Sequence, residues 1–214
     1  MVAKNYELQL MKCSITELKS LIYNSCLGLK FEFGICEEIS EAVSCLEGYK
    51  LKACEELRKS FQCTKSAIKK IKISNKLICF GPSRVMYEGI SSVDYFRTGL
   101  YEEILFEKLD SPMILIGLGL INRVDNFQIT HSSNVIGYVD KGNFFWDKNF
   151  NSRNIEIAIK KNECLPSDFN AFSEVIEIDN KIWKEFELIS YRRLVPQSKQ
   201  SRNEGAGAGI IDND

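Results

Sequence analysis

Histidine is almost absent from this chain: its 214 residues include one, His131. Zinc hydrolase motifs need a second imidazole at fixed spacing, and a serine or cysteine nucleophile needs an adjacent base, so both chemistries are poorly supplied. His131 ends the strand-like stretch "FQITH" and reads as a surface or satisfied polar residue. The patterns G-x-S-x-G and G-x-x-x-x-G-K-[ST] are also missing, which removes the nucleophile-elbow and P-loop readings. Eight cysteines occur without a C-x-x-C pair, so zinc-ribbon and thioredoxin signatures are lacking. Cys36, Cys45, Cys54 and Cys63 recur every nine residues. On a helix, nine steps of about 100° turn successive side chains to opposite faces, so this spacing builds no common site. In a reducing compartment such residues behave as small buried hydrophobes.

Excess charge is missing too. Lysine and arginine total 28 against 29 acidic residues, a net charge of −1. A general nucleic-acid binder needs a basic surface, so none is expected here. The run "KSAIKKIKISNK" (65–76) holds five lysines and no acid. It has no interleaved aromatics to stack bases and reads as a solvated helix face leading into a strand. No stretch approaches the roughly 20 apolar residues of a membrane span. The most apolar segment, "SPMILIGLGLI", is strand-sized, and "MVAKNYELQLMKC" has no signal-peptide core. The expectation is a cytosolic protein that binds neither membrane nor nucleic acid.

The residues that are present describe an α+β protein. "SITELKSLIYNSCLGL" opens on Ser14 with Glu17 three residues later, a capping box. Ile15, Leu18, Leu21 and Ile22 then share one helical stripe, and Gly28 is the expected stop. Gly34 precedes a second helix with Ile35, Ile39, Val43 and Leu46 inward and Gly48 just past its end; a third carries Leu51, Cys54, Leu57 and Phe61. The middle of the chain reads as short strands. They are "KLICFG" (stopping at Pro82), "EEILFEKL", "MILIGLGLI", "NFQITHS", "NVIGYVD" and "NFFW" around the turn signal "DKGN", and "NIEIAIKK". Short connections favour antiparallel pairing. An edge strand "EVIEI" leads to a last helix capped by Asp179 and stopped by Pro196. This predicts an N-terminal extension (1–12), a helical region (13–75), a mostly antiparallel β region with a C-terminal helix (76–196), and a glycine-rich acidic tail (197–214).

Candidate chemistry is sparse. Glu37 and Glu38 lie one turn into the second helix, where one could act as a general acid or base. "GLGL" (117–120) has two glycines in an apolar run and reads as a close backbone approach rather than a phosphate loop. The tail "GAGAG" (205–209) follows no strand and opens no helix, so it is not a dinucleotide fingerprint. Its successive N–H groups can form an anion-binding nest. Asp212 and Asp214 offer oxygen ligands suited to a divalent cation such as Mg²⁺ or Ca²⁺.

Ser14, Glu17, Gly28, "FGICEE" (33–38), Val195, Pro196, Ser201, Arg202 and "GAGAGIIDND" together resemble the uncharacterised bacterial family called domain of unknown function 3726. That family has arginine where this chain has Leu27 and a second turn glycine where it has Lys30. The resemblance brings no activity. It implies that 201–214 is ordered in the functional state and lies against the helices bearing Gly34, Glu37 and Glu38. The expected function is a small-molecule-binding protein or enzyme of intermediary metabolism with an anionic ligand. Gly34, Ser201, Arg202, Gly205, Gly207 and Gly209 would contact that ligand, Glu37 or Glu38 would be the acid/base group, and Asp212 and Asp214 would hold any divalent cation. The alternatives are an accessory subunit whose tail docks into a partner enzyme, and a homodimer locked by that tail.

Overall fold

The computed structural model describes residues 10–62, 71–150, 155–161 and 172–193. A strand β1 (Leu10–Ser14), unannounced by any periodicity, leads directly into helix α1 (Ile15–Gly28). The expected capping box forms. The Glu17 N–H donates to the Ser14 hydroxyl at 3.2 Å, and the Ser14 N–H donates to the Glu17 carboxylate at 2.8 Å. Such a cap contributes about 1 kcal/mol. Helices α2 (Phe33–Gly48) and α3 (Ala53–Gln62) follow. Gly34 sits inside the first turn of α2 rather than ahead of it.

The next segment is β2 (Ile71–Ser74), β3 (Leu77–Ser83), a π-helical turn (Val85–Gly89), α4 (Ile90–Arg97) and β4 (Glu103–Leu109). Only the strand end of the lysine-rich run falls within the described residues. β3 continues past the stop expected at Pro82. The ladder from β2 reaches only Phe80, so the missing proline N–H breaks no bond on that side. The helical crossover lets β3 and β4 run parallel, whereas every other pairing in the sheet is antiparallel.

"MILIGLGLI" is not a strand but helix α5 (Pro112–Ile121). A continuous apolar run has no period to distinguish a buried strand from a buried helix. Pro112 at the first helical position, with its φ preset for a helix, was the available signal. α5 is buried nearly all round, with Ile114, Leu115, Ile116 and Leu118 at 0% exposure, and it packs against α2 and the sheet. The predicted close approach does occur. A Cβ on Gly117 would lie 2.7 Å from the Ala42 carbonyl oxygen.

The remaining elements are β5 (Phe127–His131), β6 (Asn134–Asp140), β7 (Asn143–Trp146), β8 (Ile155–Lys161), β9 (Val175–Asp179), α6 (Asn180–Ser190) and a 3₁₀ turn (Tyr191–Arg193). The β6–β7 hairpin turns through Lys141 and Gly142, both at positive φ, as a two-residue type I′ turn requires. Along β8, Ile157 and Ile159 are buried. Asp179 caps α6 by accepting the Lys181 N–H at 2.8 Å; Pro196 lies outside the described residues. The main sheet has the order β2-β3-β4-β8-β5-β6-β7, and β9 pairs with β1 in a separate two-stranded sheet. The helices and the main sheet share one buried cluster. Cys13, Cys26, Cys36 and Cys54 are buried in it as free thiols. Among the described residues, no helix is long and apolar enough to cross a membrane.

Three helices end by the same device. After α1, the Phe31 N–H returns to the Cys26 carbonyl and Lys30 N–H to Leu27; after α2, Leu51 returns to Leu46 and Lys50 to Glu47; after α5, Val124 returns to Gly119 and Arg123 to Leu120. These are Schellman motifs. The left-handed residues are Lys30, Lys50 and Arg123, at φ 67°, 59° and 50°. Gly28 and Gly48, the expected stops, lie inside the helices and answer to packing. A Cβ on Gly28 would overlap the Ile189 carbonyl of α6, and one on Gly48 would come 2.6 Å from the Phe172 ring.

Candidate functional site

The end of α2 projects Lys50 and Leu51 toward the start of α3, and these walls meet the start of α5 and the end of β7. Between them lies a cavity of about 330 Å³ lined by Lys50, Leu51, Lys52, Glu55, Glu56, Lys59, Pro112, Met113, Trp146, Lys148 and Phe150. Its size is at the lower end of small-ligand sites, roughly 300–1,000 Å³. Four ammonium groups face two carboxylates. Lys52 pairs with Glu55 at 3.6 Å and Lys59 with Glu56 at 2.8 Å. Lys50 and Lys148, both solvent-exposed, have no ion-pair partner among the described residues. The N-terminus of α5 adds a positive dipole end without a nearby acid in its first turn.

The rest of the lining is apolar and aromatic. Trp146 is 4% exposed, and Phe150 meets its ring edge-on at 5.7 Å between centroids. The Trp146 indole N–H is buried without a hydrogen-bond partner among the described residues. An orphaned buried donor costs about 1–3 kcal/mol, a cost that an acceptor placed there removes.

One buried carboxyl fixes the lysine-bearing turn. Glu47 Oε1 accepts the Cys54 N–H at 2.6 Å, bridging the end of α2 to the first turn of α3. The backbone between these two residues carries Lys50, Leu51 and Lys52. Burial pushes the Glu47 carboxyl up to about 7, against the opposing effect of the Cys54 N–H. The neighbouring Cys54 thiol is raised by its own burial and then by the charge on Glu47.

The carboxylates singled out in the sequence lie elsewhere. Glu38 is half-buried near the end of α5. Its carboxyl is raised by burial, with the Asn122 side chain opposing. Arg97 closes this cluster, donating to Asn122 Oδ1 at 3.3 Å and lying 4.0 Å from Asp94. Glu37 is exposed, and Gly34 faces open space. None of the three lines the lysine cavity. His131 donates from Nδ1 to the Glu156 carbonyl at 2.8 Å and contacts the Phe150 ring. Ser201, Arg202, Gly205, Gly207, Gly209, Asp212 and Asp214 lie outside the described residues. Among those described, no group of three His, Cys, Asp or Glu side chains is placed to hold a metal ion.

The cavity residues were invisible to motif reading because they come from separate parts of the chain. The one local signal was "KACEELRK", whose Lys52–Glu55 and Glu56–Lys59 spacings place opposite charges three residues apart on one helix.

No curated protein matches the chain in sequence. A solved structure, the malate dehydrogenase from Entamoeba histolytica, aligns over 56% of this chain at 8% identity with a TM-score of 0.42. The aligned region is 38% of that enzyme's chain. Residues 13–87, from the strand that precedes α1 into the π-helical turn, match the model of the family described as "Protein of unknown function (DUF3726)".

Proposed function

We propose that this protein binds a small anionic molecule in the cavity between α2, α3, α5 and β7. The observation that carries this reading is the pair of ammonium groups, Lys50 and Lys148, that lack ionic partners among the described residues and sit beside a buried aromatic wall. Separated like charges around a concave surface repel one another until an anion enters, so the ligand supplies the missing countercharge. The tail contributes separately. Arg202 offers a planar guanidinium fork for the anion, and Ser201 and the N–H groups of Gly205, Gly207 and Gly209 offer further donors.

A thermal-shift screen of small carboxylates and phosphates tests this. At a hundredfold excess over Kd, a ligand adds about 2.7 kcal/mol of stability, or a rise of roughly 5–10 °C. The Lys50→Gly/Lys148→Ala double variant is expected to lose that rise while melting, without ligand, at or slightly above the parent's temperature. Glycine suits the left-handed backbone at position 50, and both side chains are exposed. A full rise in the double variant would reject the cavity. Arg202→Ala should reduce the rise on its own; an unchanged response would remove the tail from the site.

A further inference from the structure

Resting on the anion-binding reading of the cavity, we infer that its occupant is a phosphate monoester of a small flat molecule. Charge comes first. Two of the four lysines are neutralised in place, Lys52 by Glu55 and Lys59 by Glu56. Two positive charges remain, on Lys50 and Lys148. A phosphate monoester carries about −1.5 to −2 near neutral pH, which matches both. A monocarboxylate would leave one ammonium uncompensated.

Donor shape is the second argument. Among the described residues, the cationic groups on the cavity wall are all lysines. An ammonium is a point charge with rotatable donors and suits the tetrahedral distribution of phosphate oxygens.

The third argument is the apolar part of the lining. Leu51, Pro112, Met113, Trp146 and Phe150 form an apolar surface with two aromatic rings, the surface against which a planar unsaturated body packs. A methionine beside the rings adapts to ring edges. A volume of about 330 Å³ accommodates one ring with its phosphate and excludes a dinucleotide.

The chain has two tryptophans, so Trp183→Phe leaves Trp146 as the only indole. The full-length Trp183→Phe protein is titrated with phenyl phosphate, benzoate and inorganic phosphate at pH 7.5 and constant ionic strength, following tryptophan emission with dialysis as a check. Phenyl phosphate should bind saturably, at least tenfold tighter than either of the other probes. Lys50→Gly/Lys148→Ala should weaken it at least tenfold. Benzoate binding as tightly as phenyl phosphate would overturn the phosphate assignment and leave the anion cavity standing. Inorganic phosphate binding as tightly would overturn the flat body. Phenyl phosphate binding that ignores the lysine double variant would overturn the inference as well. Absence of binding by all three probes to the folded protein would overturn the inference and the cavity reading together.

Discussion

Lys30 occupies the left-handed position that closes α1, at φ 67°, where a Cβ meets the following carbonyl oxygen. That conformation costs an L-residue about 1–2 kcal/mol, and glycine escapes most of it. The family resemblance places glycine at this site, and the structure supplies the physical reason. Lys30→Gly is therefore expected to stabilise the protein by about 0.5–1 kcal/mol, read from the midpoint of a urea titration. A destabilised variant would mean that the lysine contributes more through its charge at the carbonyl end of α1 than it costs in backbone strain. Lys50 and Arg123 pose the same trade at the ends of α2 and α5. At Lys50 the strained backbone also holds a cationic side chain at the cavity mouth. Glycine as a helix stop was legible in the sequence only in part, because Gly28 serves helix contact and leaves the left-handed turn to Lys30.

Among the elements, the joint between α2 and α3 depends on the buried Glu47 carboxyl. Its pKa in the folded protein is about 7, while an unfolded glutamate titrates near about 4.3. Between those values the folded state holds a proton that the unfolded state has released, so this group makes stability fall as pH rises across that window. The fall amounts to about 4 kcal/mol and is complete above the folded pKa. Glu47→Gln keeps an acceptor for the Cys54 N–H and removes the titration. The variant should match the parent near pH 4 and exceed its stability at pH 8, measured by urea unfolding at both pH values. An unchanged pH slope would show that Glu47 is not the titrating group. The helices were largely readable beforehand: the capping box at Ser14 and Glu17, the Asp179 cap and the apolar stripes are local, and local chemistry survives folding. α5 was not, because burial on every side erases the periodicity that separates a helix from a strand.

In the whole molecule, the helices and the main sheet bury their side chains in one cluster, from Leu18 and Ile39 through Ile116 to Ile157. The expected helical and β regions share this core, so unfolding should be a single cooperative transition. Far-UV circular dichroism and tryptophan emission are expected to give coincident melting curves; separated curves would mean that the two regions unfold independently. The sequence alone determined the α+β class, the helix caps at Ser14 and Asp179, the β6–β7 turn and the scarcity of histidine chemistry. Each of these depends on neighbours within a few residues or on composition. Only the tertiary structure decided that α5 is a helix, that β3 and β4 run parallel, and that lysines from α3, the α2–α3 turn and the segment after β7 meet beside Trp146. These depend on which surfaces pack together, and a lysine alone in the sequence carries no sign of the charge or ring it will face.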